Sequence, residues 1–160
     1  MFHRWAALVL VLALCAMSPK NAAGQTQSQV PRGPGAGKLG RAFPNPFNPR
    51  VFIPFTVVDA DGNCTDGREI HVVSVRILNI LAAPVAIPIL DGPAPNSTTS
   101  IPSALKGASF ANLKIGCGAY LAYWDGNLQG TTKEAASGIY VVQFFVDGKL
   151  VDSKRIYNRK

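Results

Sequence analysis

The chain has 160 residues, 48% of them hydrophobic and 16% charged, with a formal net charge of +7. That length allows one domain of ordinary size and leaves little room for two, and the apolar share supports a packed core. The 15 glycines and 12 prolines are spread as turn punctuation rather than as a repeat, which suits many short strands and argues against a helical chain.

The N-terminus reads as an export signal. Met1 to Trp5 is a basic start, and Ala6 to Met17 is an unbroken apolar run of 12 residues. A signal-peptide core has this length, whereas a membrane span needs roughly 18 residues or more. Small residues before Gly24 suggest cleavage after Ala23 or Gly24, so we assign residues 1–24 as signal peptide. Cys15 follows Leu14 rather than the small residue that lipidation prefers. Arg4 and Lys20 leave with that segment, reducing the charge from +7 to +5. The bases are otherwise dispersed. Their one dense cluster, Lys154, Arg155, Arg159 and Lys160, is too short for a nucleic-acid arm, and aromatics are not interleaved with it. No nucleic-acid partner is expected.

Gln25 to Arg41 is polar and rich in glycine and proline, and reads as a flexible linker. Its Gly35-Ala-Gly-Lys-Leu-Gly40 matches a dinucleotide fingerprint but lacks the flanking strand and helix that such a site demands. Val51 to Val58 is β-branched and aromatic, and Pro54 places it at a sheet edge. Ile70 to Ile80 alternates, with Val73, Val75 and Ile77 on one face. Val85 to Leu90 is a third strand. Pro93 to Gly118 is an excursion with room for one short helix between Ser103 and Leu113. Ala119 to Trp124 is a strand, and Gly138–Val146 and Lys149–Tyr157 flank Asp147-Gly148, a two-residue type I′ hairpin loop. The expected fold is all-β: a small Ig-like antiparallel sandwich of about six or seven strands over residues 42–160. Two cysteines remain after export, Cys64 and Cys117, and an even pair in an exported chain reads as a disulfide.

Ala42-Phe43-Pro44-Asn45-Pro46-Phe47-Asn48-Pro49, followed by a strand, resembles the opening of a recurrent bacterial C-terminal module. That family includes the sorting domains of type IX-type secretion cargo and the similar Ig-like domain of the flagellar hook-capping protein. Val75 to Leu81 resembles its second strand, Tyr123-Trp124-Asp125-Gly126 its Trp-Asp-Gly turn, and Ser137-Gly138-Ile139-Tyr140 the lead-in to its penultimate strand. The resemblance runs from Ala42 to the C-terminus and implies an Ig-like fold with an attachment or sorting role. This chain departs from the pattern at Ala82-Ala83, where the family has Gly-Arg, and in its cysteine pair. In physical terms the prolines fix an extended path, so Phe43 and Phe47 are expected to plug the sandwich while Asn45 and Asn48 bond turn backbone.

Catalytic equipment is sparse. Asp59-Ala-Asp-Gly-Asn63 with Asp66 alternates oxygen donors, but Cys64 stands where a calcium loop has its sixth-position glycine and no glutamate closes it. We read it as a turn. His71 has no evident acid partner, and no nucleophile–base pair can be nominated. The sequence therefore predicts no catalytic residue, no cofactor, no metal and no small-molecule substrate. It predicts a non-enzymatic assembly subunit in the periplasm or outside the cell, binding protein partners such as a membrane-embedded complex. A sorting or surface-anchoring module is the first alternative, and a carbohydrate-binding module using Tyr120, Tyr123 and Trp124 the second.

Overall fold

The computed structural model describes residues 36–59, 62, 64 and 69–160. The expected signal peptide, most of the expected linker, and Asp61, Asn63 and Asp66 of the turn after the first predicted strand lie outside the described residues. In chain order the strands are β1 (Ala36–Leu39), β2 (Val51–Val58), β3 (Ile70–Leu78), β4 (Pro84–Ala86), β5 (Ile89–Pro93), β6 (Leu113–Gly116), β7 (Gly118–Trp124), β8 (Gly138–Val146) and β9 (Lys149–Asn158). They form two antiparallel sheets. The first runs β1-β2-β7-β5; the second runs β4-β3-β8-β9, with β6 also on β3. No helix among the described residues is long and apolar enough to cross a membrane.

The all-β sandwich is as expected, and its strands number nine among the described residues. Alternation fills the space between the sheets. Val51, Ile53, Phe55 and Val57 from β2 face Val73, Val75 and Ile77 from β3 and Tyr140, Val142, Phe144 and Val146 from β8, all buried. Phe55 sits at the centre, with the rings of Phe144, Phe110 and Tyr120 at 5.0, 5.1 and 5.6 Å between centroids. At the β8–β9 turn, Asp147 and Gly148 both have positive φ, 50° and 77°, as a type I′ loop requires.

Four expectations are corrected. First, the predicted linker is not all linker: Ala36–Leu39 pairs with β2, and Leu39 is buried in the core. Gly37 permits this, because a Cβ there would meet the Phe144 ring at 2.6 Å. Second, Pro54 does not mark an edge. β2 is interior, and its proline is tolerated because β1 stops at Leu39, leaving no ladder donor needed there; the Gly40 N–H still reaches the Pro54 carbonyl at 2.6 Å. Third, the predicted strand at Val85–Leu90 is two strands. Pro88 interrupts it, so β4 joins the second sheet and β5 the first. Fourth, the Pro93–Gly118 excursion holds only a 3-10 turn at Ser103–Leu105, which ends where Lys106 turns extended, and it contributes the unforeseen β6.

Three of the motifs that carry the family resemblance meet in one aromatic cluster. Phe47 is buried against Trp124 at 5.3 Å, and Trp124 meets Tyr140 edge-on at 5.4 Å. Gly126 (φ +86°) lies against Pro49, where a Cβ would stand 2.8 Å from that ring's own Cβ. Tyr140 donates its hydroxyl to the Ala136 carbonyl at 2.7 Å, and the Trp124 indole N–H donates to Asn127 at 2.8 Å. Asn45 bonds backbone, accepting from the Tyr157 N–H at 2.9 Å, whereas Asn48 is exposed. Phe43 is the exception to the expected plug: it is 40% exposed and stacks on Phe52 outside the first sheet.

Cys64 and Cys117 form a disulfide, with Cα atoms 5.6 Å apart across 53 residues of sequence. It ties the segment after β2 to the junction of β6 and β7. Two measurements test this architecture. Reducing the disulfide should lower unfolding free energy by roughly 2–4 kcal/mol; denaturant titration with and without reductant reads it, and two free thiols in the non-reduced protein would refute the pairing. Leu39→Ala should cost about 2–5 kcal/mol, as for a buried leucine. A loss under about 0.5 kcal/mol, the surface value, would mean that β1 is not part of the sheet.

Candidate functional site

Two charged regions stand at opposite ends of the sandwich. One lies where β2 begins and β9 ends. There the Phe43–Pro49 segment runs beside the C-terminus: the Phe47 N–H donates to the Tyr157 carbonyl at 2.8 Å, and the Arg159 N–H donates to the Phe47 carbonyl at 3.0 Å. These bonds lay the C-terminal basic cluster against a segment flanked by Arg41 and Arg50. A crevice of about 400 Å³ at the β1–β9 seam is lined by Arg41, Asn45, Lys154 and Arg155, among others. Arg41, Arg50, Arg155, Arg159 and Lys160 are exposed, and Lys154 is half-buried, its ammonium 3.4 Å from the Gly40 carbonyl. Glu134 pairs with Lys160 at 3.0 Å, and Asp152 is turned to the Leu39 N–H at 2.8 Å. Positive charge dominates.

Aromatic side chains also gather here, against the expectation drawn from their sequence spacing. Tyr157, 44% exposed, sits within the basic cluster, and Phe43 follows Arg41 by two residues. From Phe43 an aromatic row crosses the outer face of the first sheet, through Phe52 at 5.6 Å to Tyr123 at a further 5.3 Å. Of the three residues nominated for carbohydrate, Tyr120 and Trp124 are buried in the core, so only Tyr123 faces outward.

The second region is at the other end, where β2 stops and β3 starts. His71 shares the inward face of Val73 and is buried. Its Nδ1 lies 2.8 Å from Asp147 Oδ2, and its Nε2 lies 3.1 Å from Asp59 Oδ1. The expectation that His71 lacks an acid partner is therefore corrected. Its partners are 12 and 76 residues away in sequence, and the second is delivered by the hairpin turn, whose Asp147 N–H bonds the Val72 carbonyl at 2.8 Å. Alternation held one usable signal, since an imidazole on a core face must find hydrogen-bond partners. Burial pulls the His71 pKa down, but hydrogen bonds and charge from Asp147 and Asp59 outweigh it and hold the pKa above the ordinary value. Glu69 also approaches: ligand atoms of Asp59, Glu69 and His71 all lie within 4.8 Å of one another.

No known family model matches the chain, and no curated protein is detectably similar to it. Among solved structures, one similar chain is the Pseudomonas fluorescens alkylpurine DNA glycosylase AlkC bound to DNA containing an abasic site analog. It is 18% identical, with a TM-score of 0.39, and the match covers 78% of this chain but 30% of the enzyme. That neighbour is an enzyme on DNA. The expectations of a non-catalytic assembly subunit, of protein partners alone and of no nucleic-acid contact are corrected accordingly and do not stand as conclusions. A likeness this remote carries no argument for glycosylase activity either.

The arrangement around His71 makes a stability prediction. Asp147→Asn keeps an acceptor for the Val72 N–H, which Asp147 Oδ1 now receives at 2.8 Å, but removes the charge facing the imidazole. It should cost about 1.5–3 kcal/mol, the range for a hydrogen bond to a charged group. Chemical denaturation of the variant checks this, and an unchanged midpoint would mean that the His71–Asp147 contact contributes nothing to folding.

Proposed function

We propose that residues 36–160 are an exported Ig-like module of the Pro-Asn-Pro-Phe-Asn-Pro type that binds a phosphate-bearing linear polymer at its basic end. The family assignment is supported by the meeting of Phe47, Trp124 and Tyr140, three residues from three separate motif segments, in one cluster. Export is supported by the apolar run at Ala6–Met17 and by the disulfide, which belongs to oxidising compartments.

One observation carries the binding reading. Arg41, Lys154 and Arg155 line a single crevice that also admits an amide, Asn45, and no acid is among its lining residues. Guanidinium groups present forked donors that match phosphate oxygens, and a polymer repeats that anion along its length. Phe43 and Tyr157 supply exposed rings two residues along the chain from Arg41 and Arg155. Binding of this kind weakens steeply with salt, since each neutralised phosphate releases counterions.

Fluorescence anisotropy with two labelled probes, a single-stranded oligonucleotide and long-chain polyphosphate, tests it. Binding of either at about 50 mM salt, weakened at least tenfold by the exposed pair Arg155→Glu and Arg159→Glu, is the expected result. Preference for the oligonucleotide assigns ring contacts to the bases; equal binding assigns recognition to phosphate alone. No binding of either probe, or equal weakening by Lys106→Glu with Lys114→Glu outside the cluster, overturns the proposal.

A further inference from the structure

We propose that Asp59, Glu69 and His71 form a binding site for a divalent transition-metal cation, zinc in the first instance, oriented from behind by Asp147. The donors are the right kind. One imidazole nitrogen and two carboxylates suit zinc and its neighbours, whereas an imidazole has no place among the oxygen ligands of calcium or magnesium. Their spacing also comes close. Two ligands bound tetrahedrally to one zinc at about 2.0–2.2 Å stand roughly 3.3–3.6 Å apart, and His71 Nε2 lies 3.1 Å from Asp59 Oδ1, a few tenths of an ångström closer. The Glu69 carboxylate falls within the same 4.8 Å circle.

The imidazole is held as a metal ligand is held. A ligating histidine gives its remote ring N–H to a carboxylate, which fixes the ring and sets the tautomer. His71 does this, with Nδ1 at 2.8 Å from Asp147 Oδ2, leaving Nε2 directed at Asp59. Asp147 is itself fixed, because its other oxygen accepts the Val72 N–H at 2.8 Å. Two metal bonds of about 2.0–2.2 Å do not fit in line within the 3.1 Å between Nε2 and Asp59 Oδ1, so a cation bound at Nε2 requires the Asp59 carboxylate to swing off the axis of that nitrogen to ligate. His71 and Asp59 are buried while Glu69 is partly exposed. Three protein ligands leave a fourth position for water. The site sits at the opposite end of the sandwich from the basic crevice, and neither reading rests on the other.

Zinc titrated by calorimetry into the chelator-stripped, full-length, disulfide-intact protein tests the site, with the visible absorption of bound cobalt as a second readout. One ion per chain at micromolar affinity or tighter is expected. Glu69→Gln should weaken binding at least tenfold, and Asp147→Asn, which touches no metal, by 10- to 100-fold with an altered cobalt spectrum. His71→Gln should abolish binding. Should that variant fail to fold, Glu69→Gln alone decides, because its side chain is not in the core. No zinc uptake, equal affinity in wild type and Glu69→Gln, or uptake of calcium in preference to zinc would each overturn the assignment.

Discussion

The seat of Phe47 against Trp124 is the contact on which the remaining structure depends. It is made by a residue from an irregular segment, not by a strand. With Phe47 buried, its N–H and C=O reach Tyr157 and Arg159, which anchors the end of β9. Trp124 in turn rests on Tyr140, coupling β7 of one sheet to β8 of the other. Pro49 then packs on Gly126, so the chain enters β2 at a fixed point and its alternation falls on the core face. Buried aromatic pairs of this geometry contribute about 0.5–1.5 kcal/mol beyond their area, and here one chain of them closes the sandwich end.

Much of this was legible in the sequence wherever period and turn chemistry agreed. β2, β3, β7 and the β8–β9 hairpin follow directly from alternation and from Asp147-Gly148. What escaped was set by partners distant in sequence. β1 has two glycines or small residues in four and no apolar period, and it is a strand because β2 offers it an edge and Phe144 leaves space above Gly37. β6, Leu-Lys-Ile-Gly, is likewise ordered by Ile70–Val73 rather than by its own propensity. Phe43 and Phe47 carry the same side chain four residues apart and end on opposite sides of a sheet, a distinction that composition cannot make.

The charged regions were hidden for the same reason. The basic end unites Arg41 with Lys154 and Arg155, and the acidic end unites Asp59 with Asp147, across separations of more than 80 residues in each case. Local inspection therefore saw dispersed bases, a turn motif and a lone histidine. The two sheets bring these together at opposite poles, exposed bases at one and the carboxylates around His71 at the other. Such a separation orients a molecule in the field of a charged surface before contact is made.

The crowded outer side of β3 has a consequence for self-association. An edge strand with a continuous row of free N–H and C=O groups invites a second chain to zip onto it. β3 offers no such row among the described residues. Ile77 and Leu78 are taken by β4, and Ile70–Val73 by β6. Between them the Val75 N–H reaches the Phe110 carbonyl at 3.1 Å, and Ser74 exchanges hydrogen bonds with Asn112 at 2.9 and 3.0 Å. The proline-rich excursion thus acts as a broken selvedge: its residues 110–112 and β6, together with β4 before it, hem one long strand, and among the described residues β3 keeps no run of free backbone groups for strand exchange to begin on.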